Sequence, residues 1–518
     1  MHRLRLLPWF MIVCFAAVST GAEARPNFSG IWKLSNANPS RSMIIEQNES
    51  DLRVFQFVED RLTMFKGPID GQPHSRAEDG SACDFLARWE ENSLYFETKL
   101  HTHDSINPVV YIQHLMRLAA NGKTMSLTRT NVTPRAGTFR ETWERQDPLP
   151  GEISLAGFDL RLQLADRKRD LTDAAGHGLQ CSIANAFNNV LQAEQECLAV
   201  INQQSASKFH GEARANLAEV YWRNGMVRKA LRYWGLGERL SHGKLAKYPE
   251  VSVVHRGYAR VQATRDSEGR LMLPVVAAGK DAGFMVDTGS NTSGLRMSEA
   301  KRLGLRLEAP RMHIVNGLTK FDAVLTIVPV LTVGATRLEN VPFWVMPDAR
   351  LDWPGIIGID LLLQLETLRW DASGATEIGF PAAEKDPLKA NLCFRHQDVL
   401  ADVSANGQGN LVVYVDTGSN GSQLYPRFAT RFLDFLSFNS KQSHYEMTML
   451  GAHRELSELT VPEITLRIGG ANLLFRSADV LLEKPPMHYQ LHGAIGMDLL
   501  NSARRVSFDL SAMRLTLE

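Results

Sequence analysis

A short phrase occurs twice in this chain, and the C-terminal half has to be built around it. The first copy reads Phe284-Met285-Val286-Asp287-Thr288-Gly289-Ser290 and the second Val412-Val413-Tyr414-Val415-Asp416-Thr417-Gly418-Ser419. Each is an apolar, strand-like run entering a tight turn that carries one carboxylate. A single Asp-Thr-Gly-Ser is ordinary turn chemistry. Two copies, each followed by a second matched stretch, are a duplicated unit. Gly355-Ile356-Ile357-Gly358-Ile359-Asp360-Leu361-Leu362 runs on to Trp370-Asp371, and Gly493-Ala494-Ile495-Gly496-Met497-Asp498-Leu499-Leu500 runs on to Phe508-Asp509. The turns are offset by 416 − 287 = 129 and the Gly-x-x-Gly stretches by 496 − 358 = 138, so the second copy holds nine extra residues between them. A fixed internal period demands two like structural units and overrides local propensity.

Two like lobes can bring Asp287 and Asp416 face to face. Like charges about 3 Å apart repel by roughly 5 kcal/mol at an effective dielectric of 20. Such a pair holds one proton between its members over a wide pH range. The ionised member can take a proton from water while the protonated one donates to a substrate carbonyl. That chemistry needs no metal, cofactor or covalent nucleophile. In the same reading Gly289 and Gly418 permit the tight turn and close loop packing. Thr288 and Thr417 knit the two loops together, and Ser290 and Ser419 hydrogen-bond the outer carboxylate oxygens. The plain alternative is a pair of structural turns in a two-lobed β protein.

The pattern resembles the retropepsin-like (pepsin-type) aspartic peptidases, in their bacterial two-lobed form. In that family each lobe supplies one Asp-Thr-Gly-[Ser/Thr] loop, and a later apolar-apolar-Gly segment packs beside it. Ile356-Ile357-Gly358 and Ala494-Ile495-Gly496 stand in those places, making Gly358 and Gly496 the loop-packing glycines. The resemblance covers about residue 251 to the C-terminus and implies two β-rich lobes, 251–381 and 387–518. It implies an aspartic endopeptidase acting on a peptide or protein substrate, with Asp287 and Asp416 catalytic. Neither phrase is substituted, which argues against an inactive relative that only binds peptides or serves as a scaffold. Flap hairpins are expected after each Asp loop, with tips at Val315-Asn316-Gly317-Leu318 and Met449-Leu450-Gly451-Ala452, Gly317 and Gly451 being the candidates. Closing flaps exclude water and hold a peptide extended. Because one chain carries both lobes across a short join, the site is expected within one chain.

The remainder is read from local pattern. A length of 518 residues implies three or four domains. Lys+Arg and Asp+Glu both number 57, which favours neither nucleic acid nor an anionic membrane as partner. Residues 1–24 read as an export signal: Arg3 and Arg5, a short apolar core from Leu6 to Val18, then Ala22-Glu23-Ala24. The competing reading is an uncleaved anchor. After cleavage no run is apolar enough to span a bilayer, and the expected location is periplasmic or secreted. Residues 25–148 alternate as an antiparallel β-barrel, with turns at Asp70-Gly71, Asp79-Gly80 and Asn121-Gly122. Phe28-Ser29-Gly30-Ile31-Trp32-Lys33-Leu34 resembles the opening of lipocalin-like barrels, which makes a ligand-binding barrel with an accessory peptidase a further functional alternative. His101 and His103 share a strand face, but no metal is assigned to them. Residues 155–248 read as a helical module resembling a tetratricopeptide hairpin, with an irregular helical linker as the alternative. In it, Cys181 and Cys197 either form a disulfide, as an exported chain permits, or stay buried thiols. Asn291-Thr292-Ser293 and Asn420-Gly421-Ser422 are formal glycosylation sequons, read as unmodified because they follow the Asp turns directly. The fold class expected is multidomain and mainly β.

Overall fold

A computed structural model of the chain describes residues 25–35, 42–58, 61–78, 81–101, 109–133, 136–145, 174–203, 207–236, 239, 242–315, 320–432, 435–436, 441–449, 452–481 and 491–518. The architecture is mainly β and divides into two compact units, 1–147 and 148–518. The signal segment, His103, and the flap-tip residues Gly317 and Gly451 lie outside the described residues, as does the side chain of His101.

The first unit is a ten-stranded antiparallel sheet in which nearly every strand pairs with its chain neighbours. The first strand, Gly30–Leu34, pairs with Ser42–Gln47 on one side and with the last, Gly137–Arg145, on the other, so the meander turns back on itself. Period-two alternation selects the inner face. Leu94, Phe96 and Thr98 are buried, while Tyr95, Glu97 and Lys99 between them are only partly covered. Register puts Leu94 opposite Met116 and Phe96 opposite His114. The His114 ring stacks on Phe96 at 4.3 Å. Burial pushes this imidazole down to about 3, so it is neutral. Trp32, Trp143 and Phe28 are fully buried in the core of this unit. Asn121-Gly122 makes the turn its sequence announces. Gly122 sits at φ 65°, and Asn121 Oδ1 accepts from the N–H groups of Lys123 (2.9 Å) and Thr124 (3.2 Å).

The first described residues of the second unit form helices Ala174–Ala186, Val190–Ile201, Ser207–Arg223 and Val227–Tyr233. Asn189 caps the second, accepting from Gln192 N–H. A Cys181–Cys197 disulfide ties the first helix to the second. Ala184, Ala193, Leu217, Val220 and Ala230 close a small core of their own. The third helix stops at Gly225, whose φ of 75° suits glycine.

Each lobe then forms a mixed sheet with one repeated detail. Strand Lys280–Val286 runs parallel to Gly355–Ile357 with Phe284 opposite Gly355. Strand Gln408–Val415 runs parallel to Gly493–Ile495 with Val413 opposite Gly493. These are equivalent positions under the two sequence offsets, so the duplication is conserved in register. The expected flap strands are antiparallel hairpins: Leu307–Val315 with Lys320–Val333, ending at Val315 opposite Lys320, and Lys441–Met449 with Ala452–Ile468, ending at Met449 opposite Ala452. A third sheet crosses the lobe boundary. It has five strands, and its seam pairs Thr367–Asp371 of the first lobe with Arg505–Asp509 of the second. Trp370 stacks on Phe508 there, centroids 5.7 Å apart. A backbone ladder plus stacked aromatics fixes one lobe relative to the other.

The helical module packs on both lobes. Arg223 is buried, donates to Asn185 O and Oδ1, and lies 4.1 Å over the Phe394 ring of lobe two. His396 of the same strand edge pairs with Glu219 at 2.7 Å. Toward lobe one, Tyr248 O–H donates to Glu308 at 3.3 Å and Gln364 Nε2 to Asn224 O at 3.4 Å. Among the described residues no helix is long and apolar enough to cross a membrane.

Candidate active site

The two Asp loops meet where the lobes meet. Each begins at the end of its buried strand and is anchored the same way: Asp287 N–H donates to Ile357 O at 3.1 Å, and Asp416 N–H to Ile495 O at 2.9 Å. Thr288 and Thr417 interlock. Thr288 Oγ1 donates to Val415 O (2.7 Å) and accepts from Thr417 N–H (3.0 Å). Thr417 Oγ1 donates to Val286 O (2.9 Å) and accepts from Thr288 N–H (3.0 Å). Both threonines are buried, so these four bonds across the boundary are shielded from water.

The glycines are placed by contact with the opposite lobe. A Cβ on Gly289 would stand 2.4 Å from Asp416 Oδ1, and one on Gly418 would stand 2.4 Å from Asp287 Cγ. Each carboxyl group therefore lies over the other lobe's loop. Within its own loop, Asp287 Oδ1 accepts from Gly289 N–H at 2.8 Å. Asp416 Oδ1 accepts from Gly418 N–H at 2.9 Å and Ser419 N–H at 3.1 Å. The two carboxyl groups are near enough to perturb one another. Loss of solvation first, and the Asp416 charge second, hold Asp287 well above the usual carboxylate range. Gly358 and Gly496 pack against the loops from behind. A Cβ there would come 2.8 Å from Ser290 O and 2.6 Å from Gly421 O respectively.

The serines act differently from the sequence expectation. Ser290 Oγ donates to Thr292 O at 2.8 Å and Ser419 Oγ to Gly421 O at 2.9 Å. A hydroxyl has one proton, so neither also donates to its aspartate's outer oxygen. These side chains close the turn, and the Ser419 backbone N–H faces the carboxylate.

Two further residues per lobe escaped the sequence reading. Asp360 accepts from Ser293 Oγ (2.6 Å) and Ser293 N–H (3.1 Å), and Ser293 Oγ accepts from Gly358 N–H (3.0 Å). In lobe two Asp498 accepts from Ser422 N–H (3.0 Å) and Oγ, and Ser422 Oγ accepts from Gly496 N–H (2.8 Å). Burial pushes the Asp360 carboxyl up to about 6. These carboxyls tie each Asp loop to its Gly-x-x-Gly stretch. The signal was present, since both fall at matching places in the repeat, and the serines are the third residues of the two sequons. A last unpredicted contact is asymmetric: Tyr414 O–H donates to Gly289 O at 2.9 Å.

The two lobes and their loops make up one two-lobed region. Within it, residues 273–361 match the family model described as aspartyl protease. Among solved structures the chain is similar to a retropepsin-like aspartic protease from Rickettsia conorii, at 21% identity over 26% of this chain and 97% of that one. The TM-score of 0.20 is too low to carry an argument about geometry. Comparison with curated proteins returns no match.

Proposed function

We propose that this chain is an exported aspartic endopeptidase whose catalytic residues are Asp287 and Asp416, both in one chain. The observation that carries the reading is the pair of carboxyl groups, each set against the opposite lobe's glycine, with Asp287 held above the ordinary carboxylate range by burial and by the Asp416 charge. The ionised carboxylate takes a proton from a water lying between the two. The hydroxide attacks the peptide carbonyl carbon, and the protonated carboxyl gives its proton to the carbonyl oxygen. The resulting gem-diol collapses as a proton passes to the amide nitrogen and the C–N bond breaks. The buried threonine interlock and the shared sheet fix both acids in advance, so little reorganisation accompanies reaction.

The test is cleavage of a denatured protein library by the mature chain at acidic pH, with and without pepstatin. Inhibitor-sensitive internal cleavage, lost in Asp287→Asn, supports the reading. Absence of cleavage with retained peptide binding would turn the region into a binding module instead.

A further inference from the structure

The helical module covers one face of the first lobe without filling the space against it. Leu245 and Tyr248 pack on a buried cluster that includes Met285, on the strand leading into Asp287. Beside that contact lies a cavity of about 80 Å³, open to solvent on one side. Protein interiors leave few voids larger than a water molecule, and this one is well above the ~10–15 Å³ that one water needs. Trp222, Val227 and Leu245 line it from the module, and Leu325, Ile327 and Trp344 from the lobe. Part of its wall is the catalytic loop, through Asn291, Thr292 and Asp360. Thr292 O accepts from Ser290 Oγ, and Asp360 accepts from Ser293. Those bonds close the Asp287 turn and tie it to the Gly-x-x-Gly stretch. Leu325 and Ile327 lie on Lys320–Val333, one strand of the expected first flap hairpin. A molecule in the cavity would therefore touch both the loop and the root of the flap.

The wall also says what kind of molecule fits. Its charged groups are already engaged: Asp360 with Ser293, Glu250 with the Arg228 N–H at 2.7 Å, and Arg223 with Asn185. A charged ligand would lose its water without gaining a partner. Most of the remaining wall is two indoles, a phenol and aliphatic side chains, which suits a flat apolar ring. Asn291 and Gln397 also line the cavity, and a carboxamide can meet one hydroxyl as donor or acceptor. We propose that this cavity is a regulatory site for a small uncharged aromatic molecule of the phenol class, and that its occupancy raises peptidase turnover by holding the Asp287 loop seated. A ligand shifts a protein toward the arrangement it binds better, and the seated loop is the one that completes the cavity wall. The site stands on the cavity alone, while the effect on turnover rests on the peptidase reading above.

The experiment titrates the mature chain with 4-methylphenol and with benzenesulfonate, a ring that stays charged at acidic pH. It reads the melting temperature, and kcat on a quenched fluorescent peptide, for the parent and for Val227→Phe, whose larger side chain fills the cavity from the module. In the parent 4-methylphenol should raise the melting temperature saturably, by a few degrees. Over the same concentrations kcat should rise about fivefold, the low end of coupling between sites. Benzenesulfonate should do neither, and Val227→Phe should not respond to either compound. A parent that 4-methylphenol does not stabilise, or that benzenesulfonate stabilises equally, overturns the site, as does a variant stabilised as much as the parent. Should Val227→Phe fail to fold, the Val227, Leu245 and Ile327 methyl signals of the parent decide: their shifting together on titration supports the site, and their standing still overturns it. Saturable stabilisation with kcat unchanged overturns the regulatory role. Stabilisation of a parent that shows no aspartate-dependent cleavage overturns the peptidase reading and leaves the site standing.

Discussion

Replacing Gly289 by alanine is the smallest change that the site geometry forbids. The added carbon would stand 2.4, 2.6 and 2.8 Å from Oδ1, Cγ and Oδ2 of Asp416. Comfortable contact between non-bonded carbons needs about 3.5–4 Å, so either the loop or the carboxyl group must retreat by about 1 Å. The carboxyl is not free to swing. Its Oδ1 accepts from Gly418 N–H and Ser419 N–H, and retreat gives up bonds worth about 1.5–3 kcal/mol each to a charged acceptor. The loop is not free either, because Thr288 next to Gly289 is locked into the other lobe. Overpacking of this kind costs about 1–3 kcal/mol of stability, and a 1 Å misplacement of a reacting group costs about a hundredfold in rate. Gly289→Ala should therefore lower kcat/KM on a quenched fluorescent peptide at least about 100-fold and lower Tm by several degrees. Gly283→Ala, on the strand that leads into this loop and where a Cβ would meet nothing within 4 Å, is the control and should change neither. A Gly289→Ala enzyme within threefold of the parent would refute the contact geometry on which the site is argued.

Thr288→Ala should destabilise the chain by about 2–6 kcal/mol in urea unfolding, because Val415 O and Thr417 N–H both lose their partner in a buried place. Thr288→Ser should recover most of it, and a loss below 1 kcal/mol would show that the interlock contributes little. His396→Ala should lower stability at pH 5 and leave it unchanged at pH 8. The bond that His396 donates to Glu219 raises the His396 pKa, so its contribution is present below the ordinary histidine value and fades as pH climbs through the raised one. Since His396 is 70% exposed the loss should stay within about 1 kcal/mol, and an equal loss at both pH values would assign it to packing. Mixing Asp287→Asn with Asp416→Asn chains at micromolar concentration should restore no activity. Substantial recovery would mean that sites assemble between chains.

The duplicated phrase made both lobes, both aspartates and their partner glycines legible, because only a close approach of two loops needs glycine at both places. Alternation and the Asn-Gly turn marked the first unit's strands, and the stretch 155–248 read as helical, as its described helices are. What stayed hidden is what depends on long-range pairing. Nothing local in Leu368 or Phe508 says that they lie opposite one another. Ser290 was misassigned because a hydroxyl beside a carboxylate suggests a bond to it, while the turn geometry offers Thr292 O instead. Asp360 and Asp498 were visible as repeat positions, but their partners Ser293 and Ser422 appear only when the Asp loop folds back on the Gly-x-x-Gly stretch. Tyr414 was read as one more strand residue, since its reach across the boundary is a property of the paired lobes.

The central claim is that two carboxyl groups, one from each lobe, act together on one water. The measurement that tests it most directly is kcat/KM for Asp287→Asn and Asp416→Asn, each shown to be folded by its far-UV spectrum and melting temperature. Residues acting as a unit are strongly non-additive. Each single variant should lose at least about a thousandfold, and the double variant should be no worse than either. If one of the two retains near-parental activity, that aspartate is structural and the paired mechanism is wrong for this chain.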